Sequence, residues 1–215
     1  MKNIYIFSGL GADKRVFQNM DFSGFNVKFV EWILPDENET IEKYAKRLAE
    51  EITHERPILI GLSFGGIIAT EIGKIIATEK IILIASAKNK NQIPYYYRIA
   101  GKLKLHKLVP TKLLKLPNVF SYWFFGIENK QDKDLLKEIL KDTDEKFLKW
   151  AIDKIVTWDN IRTPTNSIHI HGNSDRILPI NFIDFNIEIE NGGHFMTLNK
   201  ATELSKIVRK EILVP

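Results

Sequence analysis

The feature that most constrains the fold is a set of short apolar runs that alternate with helical patterns in the first half of the chain. Most of these runs are apolar almost throughout, which is typical of strands covered by helices on both faces. A helix is predicted from Thr40, as its N-cap, to Thr53, and another over Ile67–Ile76. This alternation predicts a parallel sheet built from βαβ units. The predicted strands are Lys2–Ser8, Asn26–Trp32, Pro57–Gly61 and Lys80–Ala85.

The middle of the chain has a different character. From about Ala87 to Ile161 no buried strand is predicted, only helical stretches and aromatic clusters. Strand character returns at Ser167–His171 and Asn186–Glu190, and a closing helix is predicted over Leu198–Ile212. We therefore predict a single α/β domain with a mostly parallel six-stranded sheet and helices on both faces. Its core is formed by residues 1–86 and 161–215, and residues 87–160 form a helical lid insertion.

Composition limits the classes of protein to which the chain can belong. The 215 residues are 44% hydrophobic, enough for one buried core, and no apolar run approaches the roughly 20 residues of a membrane-spanning helix. The absence of cysteine excludes disulfides, thiolate metal sites and a cysteine nucleophile. A net charge of +4 is too small to indicate nucleic-acid binding. The first residues lack a signal-peptide pattern, and we expect a cytoplasmic protein. We also expect a monomer or homodimer without stable membrane insertion.

A glycine-rich turn, residues 61–66 (GLSFGG), follows the third predicted strand and precedes a helix. The G-x-S-x-G pattern alone is common, but at a strand-to-helix turn it is typical of a nucleophilic serine on a strained elbow. Glycines at 61 and 65 remove Cβ atoms that would clash there, and the helix N-terminus near Phe64 favours an anion. If Ser63 only capped the helix, the pattern would be the same, so the motif alone leaves both interpretations open.

Two further polar residues follow later strands, at the edge where parallel sheets carry their active sites. His194 lies in residues 191–195 (NGGHF), directly after the last predicted strand, and the glycines allow the loop to place its ring over the strand ends. Asp175 lies in residues 171–179 (HGNSDRILP), after the preceding strand. The chain order predicts Ser63 as nucleophile, His194 as base and Asp175 as the acid that orients it.

Other candidates for the acid and the base fit less well. Asp175 could be a turn aspartate that bonds its own loop, but the loop after the fourth strand, residues 86–90 (SAKNK), offers no carboxylate in its place. His54 and His106 are predicted to lie at the surface. His169 and His171 share one face of a strand, where a partly buried structural histidine is the default.

The sequence resembles the α/β-hydrolase superfamily over essentially its whole length. The resemblance rests on GLSFGG (61–66), HGNSDRILP (171–179), NGGHF (191–195) and the loop SGLGAD (8–13). It implies the α/β-hydrolase fold and an oxyanion hole formed by the backbone N–H groups of Leu10 and Phe64. Many members carry His-Gly at the start of the 8–13 loop; here Ser8-Gly9 stands there, so any role of that histidine is absent. The resemblance also implies a minimal six-stranded version that lacks the N-terminal hairpin.

The predicted function is hydrolysis of a small carboxylic ester through an acyl-enzyme intermediate, without a metal or organic cofactor. The same triad would serve a thioesterase, an acyltransferase, an amidase or a C–C bond hydrolase, because one scaffold hosts many chemistries. A non-catalytic ligand-binding protein that retains the pocket is a third class. The expected partner is a small ester-like molecule and not a nucleic acid.

The predicted lid carries two features whose role the sequence leaves open. Aromatic clusters at 95–97 and 122–125 either line an apolar acyl or aryl site or pack the lid against the core, and packing is the commoner outcome. Between Lys88 and Lys115 there are eight Lys or Arg residues and no acidic residue. Such a stretch is usually a solvated face, although this one could also attract anionic substrates or touch a lipid surface.

Overall fold

A six-stranded sheet in which every neighbouring pair is parallel forms the centre of the chain, whose computed structural model describes residues 1–214. The predicted parallel α/β architecture is therefore confirmed. The strands are β1 (Asn3–Phe7), β2 (Asn26–Val30), β3 (Ile58–Leu62), β4 (Lys80–Ile84), β5 (Ser167–Gly172) and β6 (Ile187–Ile189).

The strand order is β2-β1-β3-β4-β5-β6, so the chain changes direction across the sheet once. From β1 it moves outward to β2, and it then returns to the other side of β1 to form β3. At such a switch point the loops that leave the carboxyl ends of β1 and β3 diverge and open a crevice, which is where open parallel sheets bind ligands. The 8–13 loop and Ser63 both lie at this crevice.

Helices cover both faces of the sheet, and each face has its own apolar core. Alternate strand residues point to opposite sides: Ile4 and Ile6 belong to one cluster, and Tyr5 and Phe7 to the other. The helices outside the β4–β5 connection are α1 (Ile41–Ala49), α2 (Phe64–Ile72), α8 (Met196–Asn199) and α9 (Ala201–Leu213). α9 covers the first face, whereas α1 and α2 cover the second.

Five helices lie between β4 and β5, where the sequence predicted a helical insertion. They are α3 (Tyr95–Lys102), α4 (Thr111–Leu114), α5 (Val119–Phe125), α6 (Lys130–Asp142) and α7 (Glu145–Thr157). α6 contributes Leu136 and Ile139 to one core, and α7 contributes Phe147 and Ala151 to the other, so these two helices are anchored in the sheet layers. In residues 1–214, no helix combines the length and the apolar character needed to cross a bilayer.

Several element ends differ from those predicted. β2 stops at Val30 because the Trp32 indole turns inward to bond the 8–13 loop. α1 stops at Ala49, because the next backbone N–H groups bond the carbonyl three residues earlier and not four. The Tyr5 hydroxyl then accepts the Thr53 N–H at 3.1 Å and fixes the chain beyond the helix. Thr40 is the N-cap of α1, as predicted, and accepts the Lys43 N–H.

The second and last predicted helices begin earlier than expected. α2 occupies Phe64–Ile72 and not Ile67–Ile76, because the helix starts directly at the turn after β3. The closing helix is two helices, separated at Lys200, and its first part begins at Met196, immediately after the loop that holds His194. Both shifts bring a helix start next to a predicted site residue.

Candidate active site

Ser63 stands alone between β3 and α2 in a backbone conformation that side-chain-bearing residues rarely adopt. Its φ is 52° and its ψ is −118°, in a region that favours glycine. Two bonds hold it there: its N–H donates to the Ile84 carbonyl at 2.9 Å, and the Ser86 hydroxyl donates to its carbonyl at 2.6 Å. Its side chain forms no helix cap, so the capping interpretation does not apply.

The glycines on either side of Ser63 allow close backbone packing. A Cβ at Gly61 would overlap the backbone of Gly65 and Gly66, and a Cβ at Gly65 would overlap the carbonyls of Phe7 and Ser8. The predicted steric reason for glycine at 61 and 65 therefore holds. Gly65 also locks the start of α2 against the end of β1, so the elbow and the 8–13 loop are placed relative to each other.

The structure brings Ser63, His194 and Asp175 into one hydrogen-bonded line. His194 Nε2 lies 2.8 Å from Ser63 Oγ, and His194 Nδ1 lies 2.7 Å from Asp175 Oδ2. Because a carboxylate only accepts, Nδ1 carries the proton and Nε2 is free to accept the serine hydroxyl. The His194 ring is 2% exposed and the Asp175 side chain is fully buried.

Asp175 is held in place by the backbone of its own loop. Its Oδ1 accepts the N–H groups of Ile177 and Leu178, each at 2.9 Å, which leaves Oδ2 for His194. Burial opposes the charged carboxylate, but the charge and hydrogen bond of His194, the charge of His171 and the Leu178 N–H outweigh it and lower the pKa of Asp175. The acid is therefore ionised at neutral pH and fixes the imidazole tautomer.

The loop that holds His194 is clamped by α5. The Phe195 N–H donates to the Phe125 carbonyl at 3.2 Å, and the two phenylalanine rings stack with their centroids 4.7 Å apart. Gly126 has a positive φ of 69° and packs directly on Gly193. The sequence left open whether the aromatic residues at 122–125 pack on the core. Tyr122 and Phe125 do so, whereas Trp123 and Phe124 are exposed.

The 8–13 loop lies against the elbow, and each of the two has a backbone N–H that donates no hydrogen bond within residues 1–214. A Cβ at Gly9 would lie 3.5 Å from the Ser63 Cβ, and the Trp32 indole N–H donates to the Gly9 carbonyl at 3.3 Å. Within residues 1–214, no hydrogen bond uses the N–H of Leu10 or of Phe64 as donor. These are the two amides that the resemblance assigns to an oxyanion hole.

Two residues of the site environment were not predicted from sequence. Ser86 follows β4 at the same sheet edge and fixes the Ser63 carbonyl, and His171 lies behind Asp175. His171 Nε2 donates to the Leu178 carbonyl at 2.8 Å and lies 3.6 Å from Asp175 Oδ2. The positions of Ser86 and His171 at strand ends were the available signal. The Ser86 contact depends on the pairing of β3 with β4, and the His171 contact depends on how the loop after β5 folds back.

The remaining histidines are placed away from the triad. His169 and His171 lie next to each other and are both fully buried, which is more than the partial burial expected from the sequence. His54 is exposed, as expected, and bonds the Tyr5 hydroxyl. The surface prediction for His106 is wrong, because its side chain is 9% exposed and bonds Asp153 at 2.9 Å. No group of His, Asp and Glu in the described part of the chain is arranged to hold a metal ion.

We expect the free energy of unfolding to fall as the pH is lowered from 7 towards 5. Burial lowers the pKa of His169 and His171, and each ring's pKa is further lowered by the neighbouring histidines. Histidines of the unfolded chain have a pKa of about 6.5, so below that pH the unfolded state binds more protons than the folded state. Each buried histidine then lowers the free energy of unfolding by up to about 1.4 kcal/mol per pH unit. The Asp175 carboxyl acts only at lower pH, below about 4. Urea unfolding at several pH values measures the slope.

The matched comparison for this pH dependence is His169→Gln against His54→Gln. His169→Gln removes a buried histidine and is expected to give a shallower slope, whatever its effect on stability at pH 7. His54→Gln changes an exposed histidine and should leave the slope as it is. Equal slopes for the two variants would contradict the assignment of the pH dependence to the buried pair.

A cavity of about 460 Å³ opens beside the 8–13 loop. It lies between that loop, the end of β2 and the junction of α6 with α7, and Trp32 and Phe147 form part of its apolar wall. None of the triad residues lines it. It is therefore a neighbour of the candidate site, connected to it by the Trp32 bond to Gly9.

Comparison with known proteins gives the fold a name. No protein-family model matches the sequence, and no curated protein matches it either. A bromoperoxidase from Bacillus anthracis superposes with a TM-score of 0.72 at 14% identity, over 98% of this chain and 91% of that one. An esterase from Exiguobacterium antarcticum also superposes with a TM-score of 0.72 at 14% identity, over 100% of this chain and 92% of the esterase.

An enol-lactonase from Burkholderia xenovorans LB400 gives a TM-score of 0.66 at 16% identity, over 99% of this chain and 92% of the enol-lactonase. These structures are all members of the α/β-hydrolase superfamily. The chain therefore has the α/β-hydrolase fold, and the prediction made from its four motifs is confirmed at the level of the fold.

Proposed function

We propose that this chain is a serine hydrolase that cleaves a small carboxylic ester through an acyl-enzyme intermediate. The observation that carries the proposal is the continuous line of hydrogen bonds from Ser63 Oγ through His194 to Asp175, at 2.8 and 2.7 Å. The first distance is within the range required for proton transfer between nucleophile and base, and the second is a hydrogen bond that orients the base. The esterase and the enol-lactonase with the same fold support this class of reaction by analogy.

In the proposed reaction, His194 Nε2 takes the proton of Ser63 as the hydroxyl oxygen attacks the ester carbonyl. Asp175 stabilises the imidazolium that forms, and it does so from a fixed position because its second oxygen is held by two backbone N–H groups. His194 then gives the proton to the leaving alcohol. A water molecule, activated by the same ring, releases the acid and restores Ser63.

The negative charge on the carbonyl oxygen needs donors that are in place before the reaction. We assign this role to the N–H groups of Leu10 and Phe64, which form no other hydrogen bond within residues 1–214. Removing one such donor costs about 3–4 kcal/mol of transition-state stabilisation in comparable sites. The Trp32 bond to the Gly9 carbonyl and the contact of Gly65 with β1 keep the two loops together.

Residues 87–160 act in this proposal as the lid that shapes the substrate pocket, over a core of residues 1–86 and 161–215. The clamp between α5 and the His194 loop supports this role, because the insertion touches the base directly. The proposed partner is a small ester-like molecule bound by a monomer or homodimer in the cytoplasm.

The direct test is labelling of the full chain with a fluorophosphonate probe, followed by peptide mapping and a panel of short p-nitrophenyl esters and thioesters. We expect one labelled residue, Ser63, and measurable ester turnover that the probe abolishes. The panel separates an esterase from a thioesterase on the same triad. Ser23→Ala, which removes an exposed serine, is the matched control and should be labelled like the unmodified chain.

Two results would contradict the proposal. One is a folded protein that neither reacts with the probe nor turns over any ester or thioester. The other is tight, saturable binding of an ester without product formation, which would indicate a ligand-binding protein that has retained the pocket.

A further inference from the structure

The exposed apolar side chains of the protein are concentrated in residues 95–124, here called the outer helical segment. It holds thirteen of the nineteen large apolar side chains that are exposed within residues 1–214, although it is a small part of the chain. Val119, Leu108 and Phe120 are 80%, 79% and 75% exposed. A patch of this kind on a protein surface marks an interaction site more often than a solvated face.

The same segment carries only positive charge. It contains six Lys or Arg residues and no Asp or Glu. Lys107 pairs with Asp153 outside the segment, at 3.3 Å, whereas Lys102, Lys104 and Lys112 have no carboxylate partner anywhere in the described chain. Exposed apolar groups and unpaired cations thus alternate along the outer helical segment.

We propose that the outer helical segment docks on an anionic phospholipid bilayer. Unpaired lysines are complementary to acidic headgroups, while leucine, valine and phenylalanine side chains enter the boundary with the acyl chains. Trp123, 53% exposed, has the amphipathic ring that is typical of a membrane interface. The helices of the segment have at most eight residues, so they lie on the bilayer and do not cross it.

Other occupants fit these observations less well. A second copy of the chain would place six like charges against six others, which opposes association through this face. A nucleic acid would match the lysines but would leave Leu108, Val119 and Phe120 without a partner. Only an anionic surface with an apolar layer beneath it satisfies both halves of the patch.

The docking surface is connected to the candidate active site through α5. Arg176, next to the acid, donates to the Trp123 carbonyl at 2.8 Å and its guanidinium lies 4.5 Å from the Trp123 ring centre. Two residues further along α5, the Phe125 carbonyl accepts the Phe195 N–H in the loop of His194. Docking would therefore bring the triad edge of the sheet to the lipid surface.

The test is flotation of the full chain with vesicles of phosphatidylcholine, with and without phosphatidylserine. We expect binding to the phosphatidylserine vesicles that decreases with added salt, and little binding to phosphatidylcholine alone. Replacing Lys102, Lys104 and Lys112 with glutamine should weaken the binding roughly 100-fold, because each removed charge is worth about 1 kcal/mol. The matched control makes the same substitution at Lys43, Lys206 and Lys210, so the net charge changes equally. These lysines are also exposed and have no carboxylate partner within residues 1–214.

The apolar half of the patch has its own variant. Phe120→Ser should weaken binding about tenfold and the weakening should persist at low salt, whereas Leu34→Ser, at a site 56% exposed elsewhere, should have no effect. All variants change exposed side chains, and circular dichroism checks that they fold.

Several outcomes would overturn the proposal: no enrichment on phosphatidylserine vesicles, equal losses from the two lysine triples, or self-association through Phe120 without vesicle binding. Preferential capture by RNA that is lost with the Lys102, Lys104 and Lys112 changes would also overturn it. Because the readout is binding, Ser63→Ala should float like the unmodified chain. Failure of the proposed hydrolase function would therefore be separate from failure of the docking surface.

Discussion

Replacing Ser63 with alanine is expected to abolish ester turnover while leaving the fold intact. The change removes the atom that attacks the carbonyl in the proposed reaction, and the loss of the serine from a catalytic triad lowers kcat on the order of 10⁶-fold. Ser63 Oγ bonds only His194 in the described structure, so no structural contact depends on it. Relief of the backbone strain at φ 52° is not expected, because alanine carries the same Cβ.

The measurement is steady-state turnover of the ester found best in the panel, with thermal unfolding as the test of folding. We expect an unfolding midpoint within a few degrees of that of the unmodified chain. Ser23→Ala serves again as the control and should retain full turnover. Activity of a folded Ser63→Ala variant near that of the unmodified chain would show that another residue is the nucleophile.

A second large effect is expected from Asp175→Asn, an isosteric change that leaves the two backbone bonds to Oδ1 possible. The amide would present N–H to His194 Nδ1, so the ring would carry its proton on Nε2 and would no longer accept from Ser63. We expect kcat to fall by about 10⁴-fold for this reason. The KM should change little, because Asp175 is buried and does not face the crevice.

The matched control for this change is Asp184→Asn, in the following loop, where the carboxylate is 82% exposed. It should leave kcat unchanged. If Asp175→Asn retained most of the turnover in a folded protein, Asp175 would be a turn aspartate that bonds its own loop, and the acid would have to be sought elsewhere.

Much of the sheet is predictable from sequence because strands covered on both faces appear as continuous apolar runs. All six predicted strands are present, and the helical content between β4 and β5 also agrees with the prediction. Element ends are less predictable, since they depend on partners distant in sequence. The Tyr5 hydroxyl beyond α1 and the Trp32 indole beyond β2 are two examples.

The candidate site follows the same pattern. Ser63, Asp175 and His194 could be selected because each follows a strand of a parallel sheet, and strand ends meet at one edge. The groups that support them could not. Ser86 acts through the pairing of β3 with β4, and His171 acts through the loop after β5. α5 reaches the His194 loop only after the insertion folds back. Local pattern selects the candidate residues, whereas long-range packing determines what supports them.

The pairing of β4 with β5 has a consequence for folding during synthesis of the chain. β4 ends at Ile84 and β5 begins at Ser167. These neighbouring strands can therefore pair only after the whole insertion between them has been synthesised. Until then a nascent chain displays the serine elbow without acid or base. An ester-cleaving centre would be inert throughout translation, and it would become competent only when the last strand and its histidine arrive.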